Sequence, residues 1–218
     1  MSIVPTRPVG RSGALLLADI SGYTGFLGGV ADAHRALIVE SDEPPAAYAV
    51  LSHLLDTIIA AIEPHFQVVK LEGDAVFAVG DAASLDGLDV LACMRGCYAA
   101  FRRELAKAGS QWTCTCEACV RVGDLDLKFV LHDGRYVSQS IGGREELLGH
   151  DVNLVHRLLK NHARELIGPM PYALITDAAA VALLVPTDEM VEAEERYDDT
   201  PPVRVHILAL GVPAAVPQ

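Results

Sequence analysis

Short apolar runs that end in polar turns alternate along this chain with longer stretches whose apolar residues recur every three or four positions. Gly13 to Ala18 reads as a strand leaving on the polar Asp19, and Tyr23 to Leu27 begins a helix that Gly28 and Gly29 loosen. Residues 30 to 45 are mixed in character and end in Glu43-Pro44-Pro45, a loop boundary. Ala46 to Glu63 carries Val50, Leu51, Leu54, Leu55, Ile58, Ile59 and Ile62 in helical register and is closed by Pro64. Phe66 to Leu71 and Ala75 to Val79 predict a hairpin joined through Glu72-Gly73-Asp74. Asp86 to Ala108 predicts a long helix with Leu88, Val90, Leu91, Met94, Tyr98, Phe101 and Leu105 in its apolar stripe.

Leu125 to His132 and Tyr136 to Ser140 predict a further strand pair turning at Asp133-Gly134. After a charged loop opened by Gly142-Gly143, Val152 to Ile167 predicts one helix, Tyr172 to Thr176 a strand, and Asp177 to Leu184 a capped helix. The acidic residues 187–200 read as a solvated excursion, after which the alternating Val203 to Leu210 closes the sheet. Helices between hairpins, with no regular strand–helix–strand repeat, predict an α+β sheet covered by helices.

Composition narrows the partners. Residues 1–218 read as one domain with a cysteine-rich insert at about 109–122, and a 51% hydrophobic content suffices for its core. The formal net charge of -12, from 29 acidic and 17 basic residues, argues against nucleic acid or an anionic membrane as partner. A small phosphorylated ligand remains compatible, because a metal ion and a few local cations can neutralise it. The apolar stretch Ala178 to Pro186 is too short to span a bilayer, and no signal peptide is legible, so the expected compartment is the cytoplasm.

Two aspartates carry the chemistry. Asp19 and Asp74 each follow an apolar strand, and two carboxylates converging from neighbouring strands favour a hard divalent cation between them. Alone, each is equally an ordinary turn or cap residue. Lys70 and Lys128 stand inside strands, as edge charges or as donors to a base and a phosphate. Asn153 and Arg157 lie one helical turn apart and share a face. His150, His156 and His162 have no convincing zinc spacing and read as structural. Cys93 and Cys97 face one side of a helix, whereas Cys114, Cys116 and Cys119 crowd a short segment. That second group resembles a metal knuckle, yet its three thiolates fall short of the four ligands of a structural zinc; a labile pair or free thiols are the alternatives.

Four blocks, in order over roughly residues 13 to 165, resemble the catalytic domain of class III adenylate and guanylate cyclases. They are Ala18-Asp19-Ile20-Ser21-Gly22-Tyr23-Thr24, Lys70-Leu71-Glu72-Gly73-Asp74, Lys128 to Gly134, and Gly149-His150-Asp151-Val152-Asn153-Leu154-Val155-His156-Arg157. The chain also resembles bacterial cyclase-like proteins of unassigned function with a cysteine-rich insert. The resemblance implies a ferredoxin-like α+β sheet and a head-to-tail homodimer. It implies that Asp19, Asp74 and the Ile20 backbone hold magnesium or manganese, and that Lys70 and Glu146 read the base. Asn153 would position the ribose, Arg157 would stabilise the transition state, and Lys128 would stand where cyclases carry a phosphate-binding arginine. Glu146 departs from the aspartate or threonine of adenylate cyclases. The implied activity is conversion of a nucleoside triphosphate, ATP first, to a 3′,5′-cyclic nucleotide and pyrophosphate. The alternatives are a non-catalytic nucleotide-binding regulatory module and a metal- or redox-sensing interaction protein on a cyclase fold, with zinc at Cys114, Cys116 and Cys119.

Overall fold

The computed structural model of the chain describes residues 8–35, 39, 44–111, 113–198 and 200–211. Strand β1 (Val9–Ser21) is followed by helices α1 (Tyr23–Ala33) and α2 (Ala46–Ile62). The hairpin β2 (Gln67–Glu72) and β3 (Ala75–Gly80) leads into α3 (Gly87–Gln111) and a 3-10 turn at Cys119–Asp124. Then come β4 (Asp126–Ile141), β5 (Arg144–Leu148), α4 (His150–Arg157), α5 (Ala163–Ile167), β6 (Tyr172–Thr176), α6 (Asp177–Leu183), β7 (Val191–Tyr197) and β8 (Thr200–Ala209). The sheet runs β2-β3-β1-β4-β6-β8-β7, with β5 paired to the far half of β4. Its first four strands are mutually antiparallel, the order of a ferredoxin-like core, and β4 with β6 is parallel.

The period-two alternation of β1 divides the core between the two faces of the sheet. Leu16, Ala18 and Ile20 pack beneath the long helices, against Leu54, Ile58, Met94 and Phe101. Leu15 and Leu17 face the other way, where Phe77, Val130, Val155 and Leu158 complete a smaller cluster. Among the described residues, the helices on that second face are the short α4 and α5, of eight and five residues. By the same alternation Asp19 points toward this lightly covered side.

Three expectations need correction. Asp133-Gly134 is not a turn: β4 runs straight through it, with Gly13 opposite Gly134. A Cβ at Gly134 would lie 2.6 Å from the Asp151 side chain, so the glycine serves a close approach. The helix expected over Val152 to Ile167 is broken between Arg157 and Ala163. There Asn161 donates to the Leu158 carbonyl at 2.6 Å and accepts the Ala163 N–H at 2.9 Å. The helix begun at Tyr23 carries Gly28-Gly29 within it and continues to Ala33. Finally, the acidic stretch 187–200 contains β7, the edge strand beside β8. Glu192 and Glu194 are exposed there, as suits an edge, while Glu195 is buried and accepts from His162 Nδ1 at 2.8 Å and its backbone N–H at 2.9 Å.

Candidate nucleotide and metal sites

Register alone brings the two aspartates together. Asp19 lies opposite Ala75 on β3 and opposite Lys128 on β4, while the Ile20 N–H donates to the Asp74 carbonyl at 3.2 Å. Asp19, Asp74 and Lys128 line one open cleft of about 390 Å³, walled by residues Ile20 to Gly25 at the start of α1. Lys128 Nζ sits 3.0 Å from Asp19 Oδ2, with the two side chains 19% and 14% exposed, and also donates to the Leu159 carbonyl at 3.3 Å. Burial first, and the Asp19 carboxylate second, push the Asp74 carboxyl above its ordinary pKa, against the pull of Lys128. Two carboxylates repelling each other around a single ammonium suit an added hard cation, so the donor set fits magnesium or manganese.

The cleft also collects two cations that the pattern of apolar positions did not single out. Lys160 and Arg164 line it, because the break after α4 turns the chain back toward β1. The sequence signal was there only in retrospect, as the side-chain-to-backbone bonding capacity of Asn161 at the break.

Lys70 and Glu146 meet elsewhere on the sheet. Lys70 Nζ lies 3.4 Å from Glu146 Oε2 and closer, at 2.8 Å, to Glu72 Oε1. The hydrogen bond to Glu72 is the main cause of a raised Lys70 pKa, with Glu146 adding to it. Glu72 also receives His156 Nε2 at 2.5 Å, so it is the hub of this group, although the hairpin pattern read it as a turn residue. Asn153 and Arg157 are exposed on α4, and neither lines the aspartate cleft. Arg157 Nη1 donates instead to the Asp198 carbonyl at 3.3 Å and the Thr200 hydroxyl at 3.2 Å. On one chain, therefore, the aspartate cleft and the group formed by Lys70, Glu72 and Glu146 stand apart.

The cysteine segment folds against α1. Cys114, Cys116 and Cys119 converge on His34, and the four ligand-capable atoms all lie within 4.8 Å of one another. The Cys119 N–H donates to Cys116 Sγ at 3.3 Å, and this bond is the main reason the Cys116 thiol is lowered to about 7. Cys93 and Cys97 lie apart, buried under α2, and burial lifts their thiols to about 11 and about 12.

A family model described as "Protein of unknown function (DUF2652)" matches residues 51–165. An uncharacterized protein of Mycobacterium tuberculosis is 34% identical over 135 residues, which are 61% of this chain and 60% of that protein's length. A crystal structure of a guanylyl cyclase superposes with a TM-score of 0.69 at 16% identity, covering 97% of this chain and 98% of the other. The adenylyl cyclase CyaB from P. aeruginosa gives a TM-score of 0.59 at 17% identity, over 93% of this chain and 95% of the other. A light-regulated bacterial adenylyl cyclase gives 0.64 at 14% identity, over 92% of this chain and 52% of that one. The fold is that of class III cyclase catalytic domains. Among the described residues no helix is long and apolar enough to cross a membrane.

Proposed function

The chain belongs to the family described as "Protein of unknown function (DUF2652)", and we propose that it is a nucleotidyl cyclase, a phosphorus–oxygen lyase acting first on ATP. The observation that carries the reading is the convergence of Asp19, Asp74 and Lys128 in one cleft on a cyclase-like fold. Magnesium or manganese held by the two carboxylates and the Ile20 carbonyl would supply Lewis-acid neutralisation of the triphosphate and an acidified ribose hydroxyl. Lys128, Lys160 and Arg164 bind phosphate oxygens as point charges and a planar fork, and Lys128 leaves Asp19 to do so.

Lys70 donates to a ring nitrogen of adenine and Glu146 accepts from its exocyclic amine; guanine presents the opposite pattern at those positions. Asn153 orients the ribose. The 3′-oxygen attacks the α-phosphorus in line, the bond to the β-phosphate oxygen breaks, and pyrophosphate leaves with that electron pair. Asp19 or a water molecule takes the hydroxyl proton, and Arg157 neutralises charge growing on the α-phosphate. Because Asn153 and Arg157 lie outside the cleft of their own chain, a second copy supplies them. A head-to-tail homodimer then holds two equivalent sites.

One observation favours a non-catalytic nucleotide-binding module instead: Arg157 is tied to the β7–β8 turn and must be released before it can act. The two readings separate on incubating the purified protein with ATP, GTP, CTP or UTP and magnesium or manganese. The cyclase releases pyrophosphate and a cyclic product, and Asp19→Ala abolishes both. Bound nucleotide with no product in any combination, or turnover that survives Asp19→Ala, overturns the cyclase mechanism.

A further inference from the structure

We propose that His34, Cys114, Cys116 and Cys119 form a closed four-ligand zinc site that clamps the end of α1 to the cysteine segment. The three thiolates come from a Cys-x-Cys-x-x-Cys stretch, and the fourth ligand arrives from 80 residues upstream, at the C-cap of α1. His34 Nε2 lies 3.6 Å from Cys114 Sγ, 3.4 Å from Cys116 Sγ and 3.3 Å from Cys119 Sγ. A single ring nitrogen carries one proton or one lone pair, so it cannot make three hydrogen bonds of that kind. It can share one centre with three sulfurs. Tetrahedral zinc with ordinary Zn–S and Zn–N bonds sets nitrogen and sulfur about 3.6 Å apart, and the three separations fall at or just inside that value.

The surroundings match a structural ion. The Cys119 N–H directed at Cys116 Sγ stabilises a thiolate there. Cys119 is buried, and Gly29 of α1 passes so near that an added Cβ would lie 3.2 Å from the Ala118 side chain. Four protein ligands leave no open position for a substrate, so the ion is a clamp and not a second reaction centre. Its mechanical target is legible in the chain order. The helix whose far end carries His34 begins at Tyr23, and the first turn of that helix, with Ile20 to Gly22, walls the aspartate cleft. The clamp stands whether or not the cleft turns over a nucleotide.

Metal analysis of protein purified without chelator should find about one zinc per chain, and replacement by cobalt should give thiolate-to-metal charge-transfer bands with the strong visible absorption of a tetrahedral site. Neither measurement needs a variant that folds. Less than about a tenth of a zinc per chain, with no tetrahedral cobalt spectrum, overturns the proposal. His34→Ala should weaken and shift the cobalt bands, whereas His34→Cys, which keeps four ligands, should retain the metal; an unchanged spectrum in His34→Ala removes His34 from the site. Stripping the zinc should raise amide exchange across α1 and residues 113–124 by about tenfold or more while the β1–β4 pair stays protected. Equal protection with and without zinc overturns the clamp.

Discussion

Replacing Lys128 by methionine removes the ammonium from beside Asp19 while keeping most of the apolar stem. At the 3.0 Å separation the gross attraction is about 5 kcal/mol for an effective dielectric constant near 20, and desolvation of both groups offsets much of it. Fully exposed pairs contribute about 0–1 kcal/mol, and breaking a fully buried pair costs about 3–5. With side chains 19% and 14% exposed, this pair falls between, so Lys128→Met should cost about 2 kcal/mol in metal-free protein. For a chain of this length that is a fall in melting temperature of about 4–8 °C. The same change should tighten manganese binding by about tenfold, because the ion no longer competes with a resident cation, and saturating manganese should close most of the stability gap. The assay is thermal unfolding against manganese concentration, with Kd measured in parallel by calorimetry. An affinity that is unchanged or weaker in Lys128→Met, or a stability loss that manganese does not reduce, would falsify the view of this cleft as a cation site held by a lysine.

Asp74→Asn should stabilise the metal-free protein at neutral pH and abolish turnover. The native pKa is raised above 3.8, so between the two values the folded state binds more protons and stability falls as pH rises; urea midpoints across the acid limb should lose that fall in the variant. Glu195→Gln should cost about 1–3 kcal/mol by chemical denaturation, since a buried carboxylate accepting two donors is replaced by an amide with one acceptor. Glu195 also raises the pKa of His162 above 6.5. That contribution is complete below 6.5 and is lost as pH climbs through the native value, so this decline above 6.5 should vanish in Glu195→Gln and persist in a distant surface variant. Arg157→Ala, which touches only exposed acceptors, should leave the melting temperature within about 1–2 °C while removing product formation; a large thermal shift would mark a structural role.

The hairpin carrying Asp74, the strand before Asp19 and the long third helix were all legible, because each pairs a clean apolar period with unambiguous turn chemistry. Placing Asp19 beside Lys128 needed the β1–β4 register, which no local pattern encodes. Gly134 was misread for a definite reason: an aspartate-glycine pair signals a turn, yet here the missing side chain makes room for Asp151. Val152 to Ile167 keeps apolar residues on one side throughout, so periodicity alone runs one helix over the Asn161 break and hides the approach of Lys160 and Arg164 to the cleft. His34 was out of reach of any spacing argument. It sits in a mixed segment 80 residues from the first of its cysteines, and only the packing of α1 on the 3-10 turn reveals it.

The proposed catalytic site is assembled from two chains, and mixing two inactive proteins tests it most directly. Asp19→Ala removes a cleft carboxylate and Arg157→Ala removes the opposing guanidinium, so each homodimer alone should form no cyclic nucleotide. Mixed in equal amounts and allowed to exchange subunits, they should recover about a quarter of the unmutated activity, because half of the dimers then hold one intact site of two. No recovery after demonstrated subunit exchange, or full activity in either variant alone, contradicts a shared catalytic site.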